Sequence, residues 1–160
     1  MIINRVGQCT GFKNATINIP DFKIVRYNRT YTVINGAMVY NEDYPNGYDI
    51  EIQLNQCDDF SSSASCRRFL DLPRTDACDL YSGTKSVFSL LVVEFVPKLQ
   101  CPIKKGTYEL KDYVVVHGMV GLFPGSGKSF WEVRMSGINN KRRISCLAML
   151  ITIRPIKTKN

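Results

Sequence analysis

The sequence predicts a mainly β protein, a two-sheet antiparallel β-sandwich of about seven or eight strands with one short helix. Three observations support this fold class. Apolar and polar residues alternate with period two through much of the chain. The 160 residues, 44% hydrophobic and 22% charged, suit one globular domain over positions 1–160. Six cysteines are spread over the whole length, as is typical of a domain stabilised by disulfides.

The cleanest alternation lies in the first half of the chain. Every second residue of Tyr48–Asn55 is apolar, which indicates a half-buried strand. Pro45–Gly47 is a turn signal, and Thr30–Tyr40 before it is rich in aromatic and β-branched residues. These two strands are therefore predicted to form a hairpin. An earlier strand over Ala15–Val25 is predicted to be interrupted at Pro20.

Three further strands are predicted in the second half. Alternation indicates strands over Thr107–Val116 and Phe130–Met135, the latter with Trp131, Val133 and Met135 on one face. Gly137–Asn140 is predicted to be a turn. The run Ile144–Ile153 is apolar on both faces, which indicates a central strand covered on both sides.

One segment follows helical spacing instead. Its apolar residues at i, i+3, i+4 and i+7 are Phe88, Leu91, Val92 and Phe95. They predict the short helix, although their β-branched neighbours leave a buried strand as an open alternative. The serine-rich, cysteine-containing segment Asp58–Asp79 is interpreted as a long cross-linked loop.

The composition excludes several function classes. The net charge of +7 favours anionic partners in general and names none. The one histidine, His117, excludes a His-rich metal site, and its position after three valines indicates a strand-end surface residue rather than a catalytic base. Residues 121–129 resemble a phosphate-binding loop, but the glycine spacing is wrong and the lysine leads into a predicted strand. We therefore expect no catalytic residue, metal, cofactor or nucleic-acid partner.

The cysteines indicate an oxidising compartment. None of their spacings is the two-residue gap of zinc or redox motifs. Their even number is most simply explained by three structural disulfides, although six buried free thiols would have the same parity. Asn14 and Asn28 each begin an N-x-[ST] glycosylation acceptor. Residues 1–8 lack a signal-peptide core, so we expect a secreted protein whose signal was removed.

Two surface features suggest an anionic or apolar partner. The first is a set of basic clusters: Arg67–Arg68, Lys104–Lys105 and Lys141–Arg143. These are either solvated turns and strand ends or sites that attract anionic lipid headgroups. The segment Met119–Pro124 lies between strands and yet carries large apolar residues. It either folds back over the core or forms an apolar lip at a cavity mouth or membrane-touching edge. Such a lip would use Leu122 and Phe123, with Lys128 nearby.

Several motifs together resemble a known family. Cys101–Leu110 has the pattern C-P-x-x-x-G-x-Y-x-L and resembles a strand of the ML lipid-recognition domain family, in its ganglioside-activator branch. Similar motifs follow in family order: Cys78–Leu80, Trp131–Met135, Lys141–Leu147, and a first cysteine, Cys9, ahead of the first strand. The likeness is greatest to secreted chemosensory B-type proteins of arthropods. One disulfide of the family pattern is missing here.

The resemblance implies an immunoglobulin-like sandwich that encloses an apolar cavity between its sheets and is not an enzyme. We therefore expect a secreted carrier of a lipid or other hydrophobic small molecule, such as a chemosensory ligand. An anionic membrane, in transient contact, and a receptor are further candidate partners. The alternative is a solid-cored interaction domain that recognises a protein, since filled and hollow sandwiches have the same alternation. The candidate ligand-binding residues are Ile24, Val33, Ile50, Ile52, Leu54, Leu91, Phe95, Val114, Val116, Leu122, Phe123, Trp131, Val133, Met135, Leu147 and Met149.

The disulfide pairing is predicted from loop positions and from the resemblance together. Cys57 and Cys66 bracket a short serine-rich loop, and Cys78 and Cys101 bracket the predicted helix. The first and last cysteines then remain to join the terminal strands, an arrangement that the resemblance also implies. The predicted disulfides are Cys9–Cys146, Cys57–Cys66 and Cys78–Cys101.

Overall fold

The computed structural model describes residues 1–28, 32–60, 65–82, 95–114, 123–124 and 127–154. The protein is mainly β, with two antiparallel sheets and one short helix, which confirms the predicted fold class. Its elements are β1 (Ile2–Gln8), β2 (Ile17–Asn18), β3 (Lys23–Arg26), β4 (Thr32–Tyr40), β5 (Asp49–Cys57), β6 (Cys66–Asp71), β7 (Thr75–Asp76), α1 (Ala77–Tyr81), β8 (Gly106–Val114), β9 (Ser129–Asn139) and β10 (Arg142–Ile153).

The larger sheet has six strands in the order β1-β10-β9-β5-β6, with β7 also paired to β5. β10 lies inside this sheet, and six consecutive residues from Ile144 to Met149 are buried. This confirms the prediction that the strand is central and covered on both faces. Its outer face is covered near Cys146, where Phe12 packs against Ala148 and the disulfide.

The smaller sheet has four strands, with β4 paired to β2 and β3 along one side and to β8 along the other. The predicted strand over Ala15–Val25 is interrupted as expected, since β2 ends before Pro20 and β3 begins after it. Phe22 reaches back over β4, where its ring occupies the space that a side chain at Gly36 would need. Gly36 therefore lets the segment between β2 and β3 pack closely on the sheet.

The predicted hairpin around Pro45–Gly47 is wrong. β4 belongs to the smaller sheet and β5 to the larger one, so the chain between Tyr40 and Asp49 crosses from one sheet to the other. Within this crossing, Tyr44 pairs with Ile103 through two backbone hydrogen bonds of 2.8 and 3.1 Å. The turn signal therefore marks a corner of the sandwich and not a tight hairpin turn.

The helix within the described residues, α1, precedes the segment for which a helix is predicted. α1 begins after Asp76, whose side chain accepts a hydrogen bond from the Cys78 backbone N–H at 2.8 Å and caps the helix. Of the predicted helix, Phe88, Leu91 and Val92 lie outside the described residues, and Phe95 is in neither a helix nor a strand.

The interpretation of Asp58–Asp79 as a loop is wrong over much of its length. It contains β6, which pairs antiparallel with β5 and aligns Cys66 with Cys57, and also β7 and the start of α1. Most residues of β6 are exposed, because it lies at the edge of the sheet. An edge strand of this kind lacks the buried alternation by which the other strands were predicted.

The first strand precedes Cys9, contrary to the family order that the resemblance implies. Ile3 and Val6 are both buried although they are three positions apart, because the pairing with β10 shifts register between Ile3 and Arg5. A bulge of this kind breaks period two and hides the strand in the sequence.

The observed turn between β9 and β10 is shorter than the predicted turn over Gly137–Asn140 and lies later in the chain. β9 continues to Asn139, and the chain reverses at Asn140 and Lys141, which have positive φ values of 52° and 64°. Two consecutive left-handed residues are typical of the tight turn that joins antiparallel neighbours, and asparagine tolerates this conformation well.

A second bulge changes which residues of β8 face the core. Leu110 is buried as the alternation predicts, but Asp112 has a positive φ of 49° and the pairing with β4 shifts register there. Beyond this point Tyr113 packs against the core, and Val114 is 38% exposed. The expectation that Val114 faces the interior is therefore wrong.

All three predicted disulfides are present: Cys9–Cys146, Cys57–Cys66 and Cys78–Cys101. Three disulfides fit an extracellular protein. Across the described ranges, no helix has the length and apolar character that a membrane span requires.

The three disulfides differ in how strongly they constrain the unfolded chain. The cysteines of Cys9–Cys146 are 137 positions apart and those of Cys57–Cys66 only 9. We expect a Cys9→Ala, Cys146→Ala variant to lose about 5 kcal/mol of unfolding free energy and a Cys57→Ala, Cys66→Ala variant about 3 kcal/mol. Urea unfolding measures both, and a reversed order would contradict the loop-entropy explanation.

Candidate functional site

A partly open apolar cavity of about 40 Å³ lies between the two sheets. The larger sheet contributes the lining residues Ile50, Met135, Ser136, Gly137, Ser145 and Leu147. The opposite wall and the ends are formed by Ile19, Phe22, Met38, Tyr48, Tyr81 and Phe95. The cavity therefore lies between side chains of both sheets and the helix, and it is partly open to the outside.

Strand register places the wall of the larger sheet in two rows. Ile50 pairs with Gly137, which pairs with Ser145 across the next ladder. In the neighbouring row, the register aligns Met135 with Leu147. Because residues two positions apart on a strand face the same side, these rows point toward the smaller sheet.

Gly137 allows its neighbours in the first row to approach closely. A Cβ atom at this position would collide with the Ser145 hydroxyl and would lie 3.1 Å from Cε2 of the Tyr48 ring. The Ser145 Oγ accepts a hydrogen bond from the Gly137 backbone N–H at 3.1 Å. The missing side chain thus brings a hydroxyl and a tyrosine ring together beside the cavity.

Two of the lining tyrosines belong to a buried triad of hydroxyls, formed by Tyr40, Tyr48 and Tyr81. The Tyr40 oxygen lies 2.7 Å from that of Tyr48 and 3.1 Å from that of Tyr81, and the Tyr48 and Tyr81 hydroxyls are hydrogen-bonded to each other. The three residues are almost fully buried. The triad therefore satisfies its own polar groups within the core.

Burial keeps the triad protonated. Loss of hydration raises the pKa of Tyr40 and Tyr48 well above the ordinary value of 10.0, and the charge that Tyr81 would carry raises both further. Burial also raises the pKa of Tyr81, against a lowering by the hydrogen bonds from its two partners. The hydroxyls consequently act as neutral hydrogen-bonding groups at physiological pH.

Other tyrosines surround the triad and close this end of the sandwich. The Tyr40 ring makes edge contacts with Tyr44 and Tyr108, at centroid distances of 6.2 and 5.3 Å. The Tyr44 hydroxyl is hydrogen-bonded to Thr16 at 2.6 Å, and that of Tyr108 donates to the Lys104 carbonyl at 2.6 Å. The corner where the chain crosses between the sheets is therefore filled with aromatic rings.

The structure brings four of the predicted ligand-binding residues to the cavity: Ile50, Phe95, Met135 and Leu147. Others are buried in the same core without lining the cavity, namely Ile52, Leu54, Trp131, Val133 and Met149. Ile24 packs against that core, whereas Val33 is buried outside it, opposite Val25 and the exposed Val114. Leu91, Val116 and Leu122 lie outside the described residues.

Most of the polar residues that line the cavity were not predicted from the sequence. Tyr48 and Tyr81 were not distinguished from other aromatic residues, and Gly137 and Ser145 were assigned to a turn and an ordinary strand. One signal was available for Tyr48: it lies two positions before Ile50 and four before Ile52, so it faces the interior as they do. The partners of the triad come from different elements, which sequence periodicity does not connect.

The predicted apolar lip is only partly described, and its Phe123 is buried rather than exposed. The Phe123 and Trp131 rings lie 5.2 Å apart between centroids, and Phe69 makes an edge contact with Trp131 at the same distance. Phe69 and its neighbour Leu70 are 49% and 44% exposed. Two adjacent exposed apolar residues therefore lie on β6, a strand that was not predicted from the sequence.

The predicted basic clusters differ in their surroundings. Arg67 pairs with Asp58 at 3.4 Å, and Arg68 forms an ion pair with Asp71. All three residues of Lys141–Arg143 are exposed at the turn between β9 and β10. The Lys128 ammonium lies 5.3 Å from the centroid of the Phe130 ring.

The remaining motifs are the loop-like segment over residues 121–129, the histidine and the candidate metal ligands. The lysine of the loop-like motif leads into β9, as predicted, and not into a helix. His117 lies outside the described residues. Among the described side chains, no group of three or more His, Cys, Asp or Glu residues could hold a metal ion.

Both predicted glycosylation acceptors are exposed. Asn14 lies in the loop before β2 with a positive φ of 62°, and Asn28 follows β3. Neither lies within a strand, so an attached glycan would not disturb a sheet ladder.

No protein-family model matches this sequence, and no curated protein matches it. The likeness to the ML family therefore rests on the sequence motifs alone.

Alkaline pH tests the buried triad. Because the three tyrosines have raised pKa values in the folded state, the unfolded chain loses its protons first. The triad's contribution to the free energy of unfolding is therefore fully present below about pH 10. Above that pH the free energy of unfolding falls by up to about 1.4 kcal/mol per pH unit for each tyrosine. We expect a Tyr48→Phe variant to lose stability less steeply over this range, measured by urea unfolding at a series of pH values.

Tyr27, whose side chain is 65% exposed, provides the matched control. A Tyr27→Phe variant should keep the wild-type slope. Identical slopes for the Tyr48→Phe variant and the wild type would contradict the assignment of the triad as buried and neutral.

Proposed function

We propose that this protein is a secreted binding protein that carries a lipid or other hydrophobic small molecule between its two sheets, without catalysing a reaction. The carrying observation is the apolar cavity, whose lining includes the hydroxyl-bearing residues Tyr48, Tyr81 and Ser145. Ligand sites of this kind are mostly apolar and have a few polar groups that orient the ligand. The motif resemblance to the ML family supports the same function independently of the cavity.

The volume of the cavity limits how a ligand can be held. Pockets for drug-sized ligands occupy about 300–1,000 Å³, whereas this cavity measures about 40 Å³. A lipid chain can therefore enter only if the side chains of the wall move. Met38 and Met135 suit this requirement, because methionine is unbranched and adapts its shape at low cost. In this proposal the cavity is the closed, unliganded form of the site.

A ligand of low solubility has to reach the protein from a membrane or a partner. The exposed Phe69 and Leu70 on β6 form an apolar surface that can enter the interfacial layer of a bilayer. Phe69 is in contact with Trp131, which reaches into the core. We propose transient membrane contact through these two side chains, with only a small charge contribution, because Arg67 and Arg68 are already paired with aspartates.

The small volume also favours a second candidate function. A solid-cored domain that recognises a receptor or another protein would need no ligand cavity, and the surface of Phe69 and Leu70 would then be its contact. The two functions differ in whether the interior takes up a hydrophobic molecule.

A pair of identical substitutions tests uptake into the cavity. Met135 lines the cavity, and Met149 is buried on the adjacent strand without lining it. We expect Met135→Phe to weaken binding of the fluorescent probe N-phenylnaphthylamine at least about tenfold, because a rigid ring replaces an adaptable side chain. Met149→Phe should weaken it about threefold or less.

Organic extraction of the purified protein, followed by mass spectrometry, gives an independent readout. A retained lipid supports the carrier. If the wild type binds no probe and retains no lipid, the carrier proposal fails and the solid-cored alternative is favoured.

The membrane contact is tested with vesicles. We expect a Phe69→Ser, Leu70→Ser variant to bind vesicles of anionic phospholipid at least about tenfold more weakly, because each apolar side chain contributes about 1.5–3 kcal/mol when fully buried. Sedimentation with the vesicles measures the bound fraction. Tyr27→Ser, at an exposed aromatic residue elsewhere, is the control and should bind as the wild type does.

A further inference from the structure

We infer that the cavity selects hydrophobic molecules that end in a hydroxyl group, which the tyrosine triad and Ser145 recognise together. This inference rests on the proposed function and adds the chemical class of the ligand. It comes from the number of hydrogen-bond donors and acceptors that the polar side of the cavity can offer.

The triad has no free donor. Three hydrogen bonds join three hydroxyls, and each hydroxyl has one proton, so every proton is used and each oxygen accepts once. Because a hydroxyl oxygen has two lone pairs, each of the three retains one. Two of these oxygens belong to Tyr48 and Tyr81, which line the cavity. The triad can therefore accept a hydrogen bond from a ligand but cannot donate one unless it opens.

Ser145 offers the complementary group. Its Oγ accepts the Gly137 N–H, and no described residue accepts its own proton. Its hydroxyl and the Tyr48 ring both lie against Gly137, in the space that a side chain there would need. One side of the cavity thus combines a donor at Ser145 with acceptors at the triad.

A ligand hydroxyl matches both groups, because it donates to a tyrosine oxygen and accepts from Ser145. An ether or a ketone can only accept, so it leaves the acceptors of the triad unused. A carboxylate can also only accept, and its burial would in addition place an unpaired charge in the core. A plain hydrocarbon pairs with neither group. Alcohols are therefore expected to bind more tightly than ethers, ketones, carboxylates or hydrocarbons of equal chain length.

Competition against N-phenylnaphthylamine measures this preference directly. The ligands are dodecanol, its methyl ether, the methyl ketone of equal length and dodecane. With the wild type, we expect dodecanol to bind about tenfold more tightly than the ether and the ketone, the ratio that one well-made buried hydrogen bond provides.

Substitution of one tyrosine should change the preference rather than only the affinity. Tyr81→Phe leaves Tyr40 and Tyr48 joined by a single bond, which frees one hydroxyl proton for an accepting ligand. The preference for dodecanol over the ketone should then fall to about twofold or less. Tyr48→Phe should act in the same way and serves as the second variant if the first does not fold. Tyr108→Phe is the control, because its hydroxyl bonds to Lys104 outside the triad, and it should keep the tenfold ratio.

Three results are distinguishable. A tenfold preference that falls in the triad variants supports the inference. Equal binding of all four ligands, or an equal loss for all of them in Tyr81→Phe, overturns the inference and leaves the carrier function standing. If neither the probe nor any of the four ligands binds the wild type, the proposed function fails and the inference fails with it.

Discussion

The buried hydroxyl triad is the constraint on which the arrangement of the two sheets depends. Tyr40 ends β4 in the smaller sheet, Tyr48 precedes β5 in the larger one, and Tyr81 ends α1. Each hydroxyl finds its partners only in the other two elements, and a buried hydroxyl without a partner costs about 1–3 kcal/mol. The crossing between the sheets, the helix and the polar side of the cavity are therefore held in one geometry. The disulfide of Cys78 to Cys101 anchors the helix from its other side.

Alternation of apolar and polar residues predicted the strands in which it continues without interruption. It failed in strands that contain a bulge. β5 was predicted because its buried residues, such as Ile50, fall in a regular phase, and β10 because its run is apolar on both faces. β1 was missed because a bulge places Ile3 and Val6 three positions apart. Val114 was assigned to the interior because the residue with positive φ at position 112 reverses the phase beyond it. The predicted pairing of β4 with β5 was also wrong, because a turn signal does not indicate whether the flanking strands pair with each other or belong to different sheets.

The disulfide pairing was predictable, whereas the cavity was not. Cysteines that bracket local segments limit the pairing, and the remaining two must then join the ends of the chain. A cavity depends on which inward positions lack volume, and this is decided by side chains from strands that are distant in sequence. Gly36 and Gly137 illustrate this, because Phe22 fills the space at the first and the Ser145 hydroxyl fills the space at the second, yet only Gly137 lines the cavity.

An unfilled space in a core has an energetic cost that a ligand can offset. At about 24 cal/mol per Å³ of cavity, a void of this size lowers stability by about 1 kcal/mol. The cost is small beside the contribution of three disulfides, so the fold tolerates it. A molecule that entered would restore these lost contacts and, as it displaced Met38 and Met135, would add apolar contacts along its own length. The same open space that weakens the empty protein therefore favours uptake, and the disulfides keep the sheets together while the wall between them adapts.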